Sequence, residues 1–321
     1  MLDEAVRRGA GPVTVPETID VAGGEVHWVE RPGGIKLRVA TFGDPNAPNG
    51  WCAVLPGYTE FIEKFLETVE DLRARNYAVM LHDWRGQGLS SRMVADRHKG
   101  HLDRFETHRD DLLAIWDAFG LGSNASTVFA HSMGGHVALL AEAARPGLIG
   151  RAVMLAPMMG IAPPGMPVGL ARALTSGFCA LGLSETYVFG GAGYEPGRRP
   201  FEGNRLTNDR GRYERFHRLI AANPELAVGD PTLGWVRAAF RSLAMTDKPG
   251  WLEQIKTPLL MISAGQEKIV NNAALETATE RLPNAEIVPI AVAGHDLMSE
   301  TDETRAEIWA AIDRFLERTK G

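Results

Sequence analysis

The 321-residue sequence predicts an α/β protein, in which helices flank a mostly parallel, twisted sheet and a helical cap is inserted into the chain. Short apolar runs, typical of buried strands, alternate with longer amphipathic runs, typical of helices, over most of the sequence. Repeated strand–helix units with short connections form mainly parallel sheets that helices cover on both faces. Between Pro163 and Gly250 this alternation stops, and Pro- and Gly-rich turns separate three helical runs, which indicates an insertion.

The predicted elements begin with two alternating segments, 19–30 and 35–41, which form a hairpin that turns at 31–34. Strand and helix then alternate up to the insertion: strand 51–56, helix 61–75, strand 77–83, helix 104–119, strand 126–129, helix 136–141 and strand 151–156. The insertion contains helical runs at 169–181, 212–222 and 232–245. After it come strand 258–264, helix 272–281, strand 286–292 and helix 303–318.

This order predicts three segments: a first part of the core at 1–161, a helical cap at 162–250 and a second part of the core at 251–321. The cap carries eleven Lys and Arg against eight Asp and Glu, a net charge of +3, so the remainder of the −6 chain carries −9. The positive cap favours contact with an anionic headgroup or a membrane surface. Solvated helix faces explain the same charges equally well.

Composition excludes several classes of function. With 45% hydrophobic and 23% charged residues the chain has an ordinary globular composition. Its net charge of −6 does not indicate the basic surface that binds nucleic acid. Cys52 and Cys179 form neither a disulfide framework nor a metal-ligand spacing, and we expect no metal and no cofactor. The first eight residues lack the apolar segment of a signal peptide, and no run of 18 apolar residues occurs. We expect a cytoplasmic protein, and the oligomeric state stays open.

The most informative segment is 130–135, AHSMGG, between a short apolar run and a helical run. A strand, a sharp turn with serine at its tip and a helix form the setting of a nucleophile elbow. Ala130 stands where glycine is usual, and Gly134 supplies the small residue on the other side of Ser132. A serine that caps a helix after a tight turn is the alternative interpretation.

A serine nucleophile needs a base and an acid that orients the base, in the chain order Ser, Asp or Glu, His. Of the nine histidines, His295 is the one that follows both the elbow and the insertion on a loop after a strand. Glu267 is the single carboxylate in the loop after the preceding strand, and a surface glutamate beside Lys268 is its alternative role. Asp296 adjoins the histidine and is poorly placed for the far ring nitrogen. We therefore predict a triad of Ser132, Glu267 and His295.

An oxyanion hole needs two backbone N–H donors near the nucleophile. One is predicted at Met133, directly after Ser132, and the other at Tyr58, where Gly57 permits a turn that directs the N–H inward. Glu60 in the same loop is interpreted as an acid at a helix N-terminus.

Four segments now identify a resemblance: PGYTEF at 56–61, DWRGQGLS at 83–90, HSMGG at 131–135 and GHDLMSE at 294–300. The sequence resembles the lysophospholipase and monoacylglycerol lipase branch of the α/β-hydrolases, nearer its bacterial lysophospholipases, over most of 30–160 and 250–318. Its departures are Ala130 for glycine, Glu267 for the commoner aspartate and proline before Gly57. We interpret 83–90 as a structural loop rather than as nucleotide-binding glycines.

The resemblance implies a cofactor-free hydrolase of carboxylic esters in single-chain glycerolipids, with lysophospholipids first and monoacylglycerols second. Four apolar residues of the cap are candidates for lining an acyl-chain site, although packing against the core explains each of them as well: Met166, Leu170, Leu174 and Phe178. A peptidase would instead need cap carboxylates near the substrate amine, for which Glu185, Glu195 and Glu202 are the candidates. A short-chain carboxylesterase and a non-catalytic binding protein of the same fold are further alternatives.

Overall fold

A nine-stranded sheet crosses the part of the chain that the structure, a computed structural model, describes: residues 6–8, 24–121, 127–161 and 165–320. Its strands are β1 (Val6–Arg8), β2 (Gly24–Arg31), β3 (Ile35–Phe42), β4 (Trp51–Leu55), β5 (Ala78–His82), β6 (Thr127–His131), β7 (Arg151–Leu155), β8 (Leu259–Ala264) and β9 (Ala285–Ile290). In space they follow the order β1-β2-β3-β5-β4-β6-β7-β8-β9. The pairs among β1, β2, β3 and β5 are antiparallel, and all pairs from β5 through β4 and β6 to β9 are parallel.

The central strands are buried on both faces. All five residues of β5 and all six residues of β8 are buried, whereas β2 near the edge mixes buried and exposed positions. A parallel sheet covered on both faces requires such continuous apolar strands. The predicted α/β fold class with its mostly parallel sheet is confirmed.

Eight α-helices accompany the sheet within the described residues: α1 (Leu66–Ala74), α2 (Glu106–Ala118), α3 (Met133–Ala144), α4 (Val168–Ala180), α5 (Arg210–Ala222), α6 (Leu233–Thr246), α7 (Asn272–Arg281) and α8 (Asp302–Arg318). Helices α2, α3 and α7 contribute to the core on one face of the sheet, and α1 and α8 to the core on the other. Among these helices, none combines the length and the apolar character that crossing a bilayer requires.

Helices α4, α5 and α6 lie between β7 and β8, where the sequence predicts the insertion. Helix α4 packs against α6, and α6 joins the main core through Trp235 and Ala238. Helix α5 packs on the other side, where Phe216 stacks on Phe61 at a ring-centroid distance of 5.2 Å. The insertion therefore covers the carboxyl ends of the strands, the edge at which parallel sheets bind ligands.

The structure departs from the sequence prediction at a few elements. Strand β1 was not anticipated, and the helix expected at 61–75 is divided into a 3₁₀ turn, Ile62–Phe65, followed by α1. Residues 19–23 of the predicted hairpin, residue 126 of the predicted strand and residues 162–164 at the predicted cap boundary lie outside the described residues.

Candidate active site

Ser132 lies at the tip of a strained turn between β6 and α3. Its backbone angles, φ 51° and ψ −116°, are rare for a residue with a side chain. The turn is held by the Ser132 N–H, which donates to the Leu155 carbonyl at 2.9 Å. A Cβ on Gly134 would lie 2.2 Å from the Leu55 carbonyl oxygen, so this position requires glycine, whereas Ala130 fits within β6. The local geometry is that of a nucleophile elbow.

The structure brings the three predicted triad residues into one hydrogen-bonded chain. His295 Nε2 lies 3.0 Å from Ser132 Oγ, and His295 Nδ1 lies 2.7 Å from Glu267 Oε2. The other carboxylate oxygen of Glu267 accepts the Ile269 N–H at 2.6 Å and the Val270 N–H at 3.1 Å. With its side chain 3% exposed, Glu267 is not the surface residue that the alternative interpretation required.

Burial lowers the pKa of His295 below its ordinary value, against the hydrogen bond to Glu267, which raises it. Burial alone would raise the pKa of Glu267, but the hydrogen bond from His295 and two backbone N–H groups lower it. At neutral pH the ring is therefore neutral and the carboxylate is ionised. A neutral imidazole whose far nitrogen donates to a carboxylate presents its free lone pair to the serine hydroxyl.

The loop after β4 contains Tyr58, one of the two predicted oxyanion donors. The N–H groups on either side of Tyr58 are engaged, since Gly57 donates to the Glu60 carboxylate and Thr59 donates to Gln87 Oε1 at 3.1 Å. Tyr58 and Met133 both line the cavity that contains Ser132. A Cβ at residue 57 would lie 2.9 Å from the Glu60 carboxylate and 3.2 Å from Ser132 Cβ, so the approach of this loop to the elbow depends on glycine.

The segment 83–90 supports this loop, as its structural interpretation predicted. Gln87 Nε2 donates to the Gly57 carbonyl at 2.9 Å, and Trp84 Nε1 donates to the Pro56 carbonyl at 2.7 Å. The Asp83 carboxylate accepts the Leu89 N–H at 2.8 Å within the same segment. The DWRGQGLS motif thus fixes the position of the loop that carries Tyr58.

The interpretation of Glu60 as an acid at a helix N-terminus is wrong. Its buried carboxylate accepts from the Gly57 N–H, pairs with the Lys64 ammonium and lies 2.9 Å from His131 Nδ1. Lys64 also pairs with Asp296 at 2.7 Å. Glu60 precedes Phe61, the N-cap residue of the 3₁₀ turn, and its side chain is directed toward His131 at the elbow. It therefore does not act on the N-terminus of the helical turn. The carboxylates of Glu60 and Asp296 and the ring of His131 are close enough to hold a cation, and the Lys64 ammonium supplies one.

A cavity of about 630 Å³ lies above Ser132, between the sheet edge and the insertion. Of the four predicted substrate contacts, Met166, Leu174 and Phe178 line it. Leu170 does not line it and is 51% exposed, so the prediction for this residue is not supported. The inward stripe of α4 begins one residue later, at Ala171, and helical periodicity had not distinguished these two neighbours.

Sequence reasoning missed the charged side chains in the cavity lining. Four arginines of the insertion line the cavity: Arg198, Arg199, Arg205 and Arg212. Arg198 and Arg199 pair with Asp230, and Arg212 pairs with Glu67, while Arg205 follows Asn204 on an exposed loop. The net positive charge of the insertion was the available signal, but it could not show which side chains converge.

A family model described as serine aminopeptidase S33 matches residues 46–302. The chain belongs to this family. The chain is 33% identical over 280 residues to lysophospholipase L2 of Escherichia coli K12, and the match covers 83% of this chain and 79% of that protein. It is also 33% identical over 262 residues to the probable lysophospholipase L2 of Haemophilus influenzae, with 81% of each covered.

The solved structures that resemble this chain show the same fold. A soluble variant of monoglyceride lipase from Saccharomyces cerevisiae aligns with a TM-score of 0.72 at 16% identity, covering 95% of this chain and all of that one. The resemblance to the lysophospholipase and monoacylglycerol lipase branch of the α/β-hydrolases is confirmed.

Proposed function

We propose that the protein is a serine esterase that cleaves the carboxylic ester of single-chain glycerolipids, lysophospholipids first, through an acyl-enzyme on Ser132. The observation that carries this proposal is the hydrogen-bonded chain from Ser132 through His295 to Glu267 at the floor of the cavity. The names of the two L2 relatives support the lipid substrate.

In the proposed first step, His295 Nε2 takes the hydroxyl proton as Ser132 Oγ attacks the ester carbonyl carbon. The N–H groups of Tyr58 and Met133 stabilise the oxyanion, and Glu267 stabilises the imidazolium. The tetrahedral intermediate then expels the glycerol-side alcohol, which takes the proton from His295. Water attacks the acyl-enzyme with the same base, releasing the fatty acid and restoring the serine.

The lining of the cavity supports a substrate with one acyl chain and a charged headgroup. Apolar side chains line the region beside α4: Met158, Ile161, Met166, Leu174, Phe178 and Trp235. This region is proposed to take the acyl chain, and the arginines in the lining are proposed to take the headgroup phosphate. We propose that residues 162–250 form the cap that supplies both regions, with core segments at 1–161 and 251–321.

A peptidase is the second candidate because the family model carries that description. The predicted amine-binding carboxylates do not converge, since Glu195 lines the cavity but Glu185 and Glu202 do not. Glu202 instead pairs with Arg210. The lining also carries four arginines, which disfavour a substrate ammonium, and we therefore place the peptidase behind the lipid esterase.

Exposed apolar side chains support the proposed contact of the cap with a lipid surface. They cluster on α4 and the segment after it: Val168, Leu170, Leu174, Leu181, Leu183 and Phe189. Phe189 is 80% exposed and also lines the cavity. Exposed apolar side chains on one segment of the insertion, two of which also line the cavity, fit partial insertion between lipid headgroups, from which a substrate enters tail first.

The test is hydrolysis of a panel: lysophosphatidylcholine, a monoacylglycerol, a short p-nitrophenyl ester and an aminoacyl-arylamide, each with Ser132→Ala as control. We expect the wild type to favour lysophosphatidylcholine, with loss of all activity in the variant. Activity confined to the short ester or the arylamide would retain the serine mechanism and overturn the substrate. Equal, negligible rates for both proteins would favour the non-catalytic alternative.

A further inference from the structure

Four ionisable side chains beside the elbow form a buried group that the proposed chemistry does not use. They are Glu60, Lys64, His131 and Asp296, which we call the floor cluster. Each of these side chains is at most 10% exposed. Burying four ionisable groups is unfavourable unless they compensate one another, so their arrangement requires an explanation.

The partners of His131 determine its protonation state. Its Nδ1 lies 2.9 Å from the Glu60 carboxylate, and its Nε2 lies 3.0 Å from the backbone carbonyl oxygen of His295. Both partners can only accept, since an ionised carboxylate and a carbonyl carry no proton to donate. The ring therefore donates from both nitrogens, which requires an imidazolium.

With His131 charged, the floor cluster contains two cations and two anions. The Lys64 ammonium lies between the Glu60 and Asp296 carboxylates, and the His131 imidazolium pairs with Glu60. Burial opposes the charge on His131, but Glu60 outweighs it and raises the pKa of His131, in agreement with the hydrogen-bond geometry. The cluster is thus neutral overall.

The floor cluster connects three separate backbone segments. Glu60 accepts the Gly57 N–H and so holds the loop that presents Tyr58. His131 precedes the proposed nucleophile and donates to the carbonyl of His295. Asp296 follows His295, and its own N–H donates to the Leu206 carbonyl of the insertion at 2.8 Å. The floor cluster therefore contacts all three segments that carry the proposed oxyanion donor, the proposed nucleophile and the proposed base.

We propose that the floor cluster is a positioning device, in which a permanently charged His131 sets the geometry between the oxyanion loop and the His295 loop and keeps His295 neutral. The His131 and His295 ring centroids are 4.9 Å apart. A fixed positive charge at that distance opposes protonation of the base. The groups that face His295 are Ser132, Glu267, His131 and Asp296. This inference rests on the roles proposed for Ser132 and His295.

The first test measures the pH dependence of kcat/KM on a short p-nitrophenyl ester. His131→Asn removes the positive charge, and we expect the acid limb to move upward by on the order of one pH unit. A side chain with a purely structural role would lower the rate without moving the limb. An unmoved limb in a folded His131→Asn protein would therefore overturn the proposal.

The second test uses charge balance. Asp296→Asn and Lys64→Met each leave an uncompensated charge while His131 keeps its Glu60 partner, and each is expected to lower kcat by about 10- to 100-fold with little change in KM, because the loops that the cluster holds shift. The double variant restores neutrality, and we expect it to recover at least part of the loss of the worse single variant. Losses that multiply in the double variant would contradict the proposal.

The third test is independent of catalysis. In wild-type protein labelled with ¹⁵N-histidine, His131 should retain N–H protons on both ring nitrogens at neutral pH, identified by the loss of its signals in His131→Asn. A neutral His131 would overturn the floor cluster as proposed. If the wild type cleaves no ester, the proposed function fails while this measurement still decides the state of His131.

Discussion

The two walls of the cavity are built on different principles. On the core wall, Ser132 and His295 are almost fully buried, and each is held by partners from separate segments of the chain. On the insertion wall, Leu174 and Phe189 are exposed and Arg205 extends from an exposed loop. The core wall thus carries the groups whose geometry must stay fixed. The insertion wall carries the contacts that adapt to a substrate. The predictions below test this division.

The largest effect is expected at the core wall. Ser132→Ala and His295→Ala should each lower kcat on lysophosphatidylcholine by about 10⁴- to 10⁶-fold, because each removes the nucleophile or its base. Steady-state hydrolysis checks this. Tyr58→Phe serves as the control, since the proposed donor there is a backbone N–H that this change retains. A residual rate near that of the wild type in either alanine variant would remove the residue from the mechanism.

The orienting acid should matter less than the base. Glu267→Gln keeps the shape but removes the charge that stabilises the imidazolium, and we expect kcat to fall by about 10³- to 10⁴-fold. Its rate on the short ester, compared with that of Ser132→Ala, measures the difference. Full activity of Glu267→Gln would show that another group orients His295.

The buried core also predicts how stability depends on pH. Burial lowers the pKa of both His82 and His108 to about 3, and the ring nitrogens of His82 have no hydrogen-bond partner among the described residues. Since the unfolded chain takes up these protons near pH 6.5, stability is present above that pH and falls as pH decreases toward 3. We expect each ring to cost about 2 kcal/mol between pH 6.5 and pH 5.

Denaturant unfolding at several pH values measures this loss. The variant His82→Phe, which removes one titrating ring at similar volume, should show a shallower dependence on pH. An identical slope in wild type and variant would mean that His82 does not contribute.

Smaller effects are expected on the insertion wall, where they should change selectivity rather than chemistry. Phe178→Ala should lower kcat/KM for long acyl chains by about tenfold while leaving the short ester unchanged, because it removes apolar contact area. Ser176→Ala, at an exposed position of the same helix outside the cavity lining, is the matched control. A uniform loss over all chain lengths would place Phe178 outside an acyl site.

The headgroup assignment gives the smallest expected change. Arg205→Ala should reduce the preference for lysophosphatidylcholine over monoacylglycerol by about three- to tenfold, since an exposed charge contributes little to binding. Arg172→Ala, an exposed arginine of the insertion outside the cavity, should leave the ratio unchanged. Equal ratios in the two variants would show that Arg205 does not contact the headgroup.

The same division explains what the sequence could predict. Ser132, His295 and Glu267 lie at strand ends, and chain order and strand position locate such residues without a structure. The role of Glu60 could not be predicted, because its partner His131 is distant in sequence and meets it only through the packing of separate segments. Three of the four arginines in the cavity lining, Arg198, Arg199 and Arg205, lie on irregular segments of the insertion, for which no periodic pattern exists.

Around Leu206, the insertion is fastened to the His295 loop: Thr207 Oγ1 donates to the Ser299 carbonyl at 2.5 Å, and Asn208 Nδ2 donates to the Val292 carbonyl at 2.9 Å. Helix α4, by contrast, faces the cavity with apolar side chains. The insertion is therefore hydrogen-bonded to the His295 loop around Leu206, whereas α4 packs against α6. We expect a substitution in the segment around Leu206 to be transmitted to the position of the base, and a substitution on α4 to leave that position unchanged.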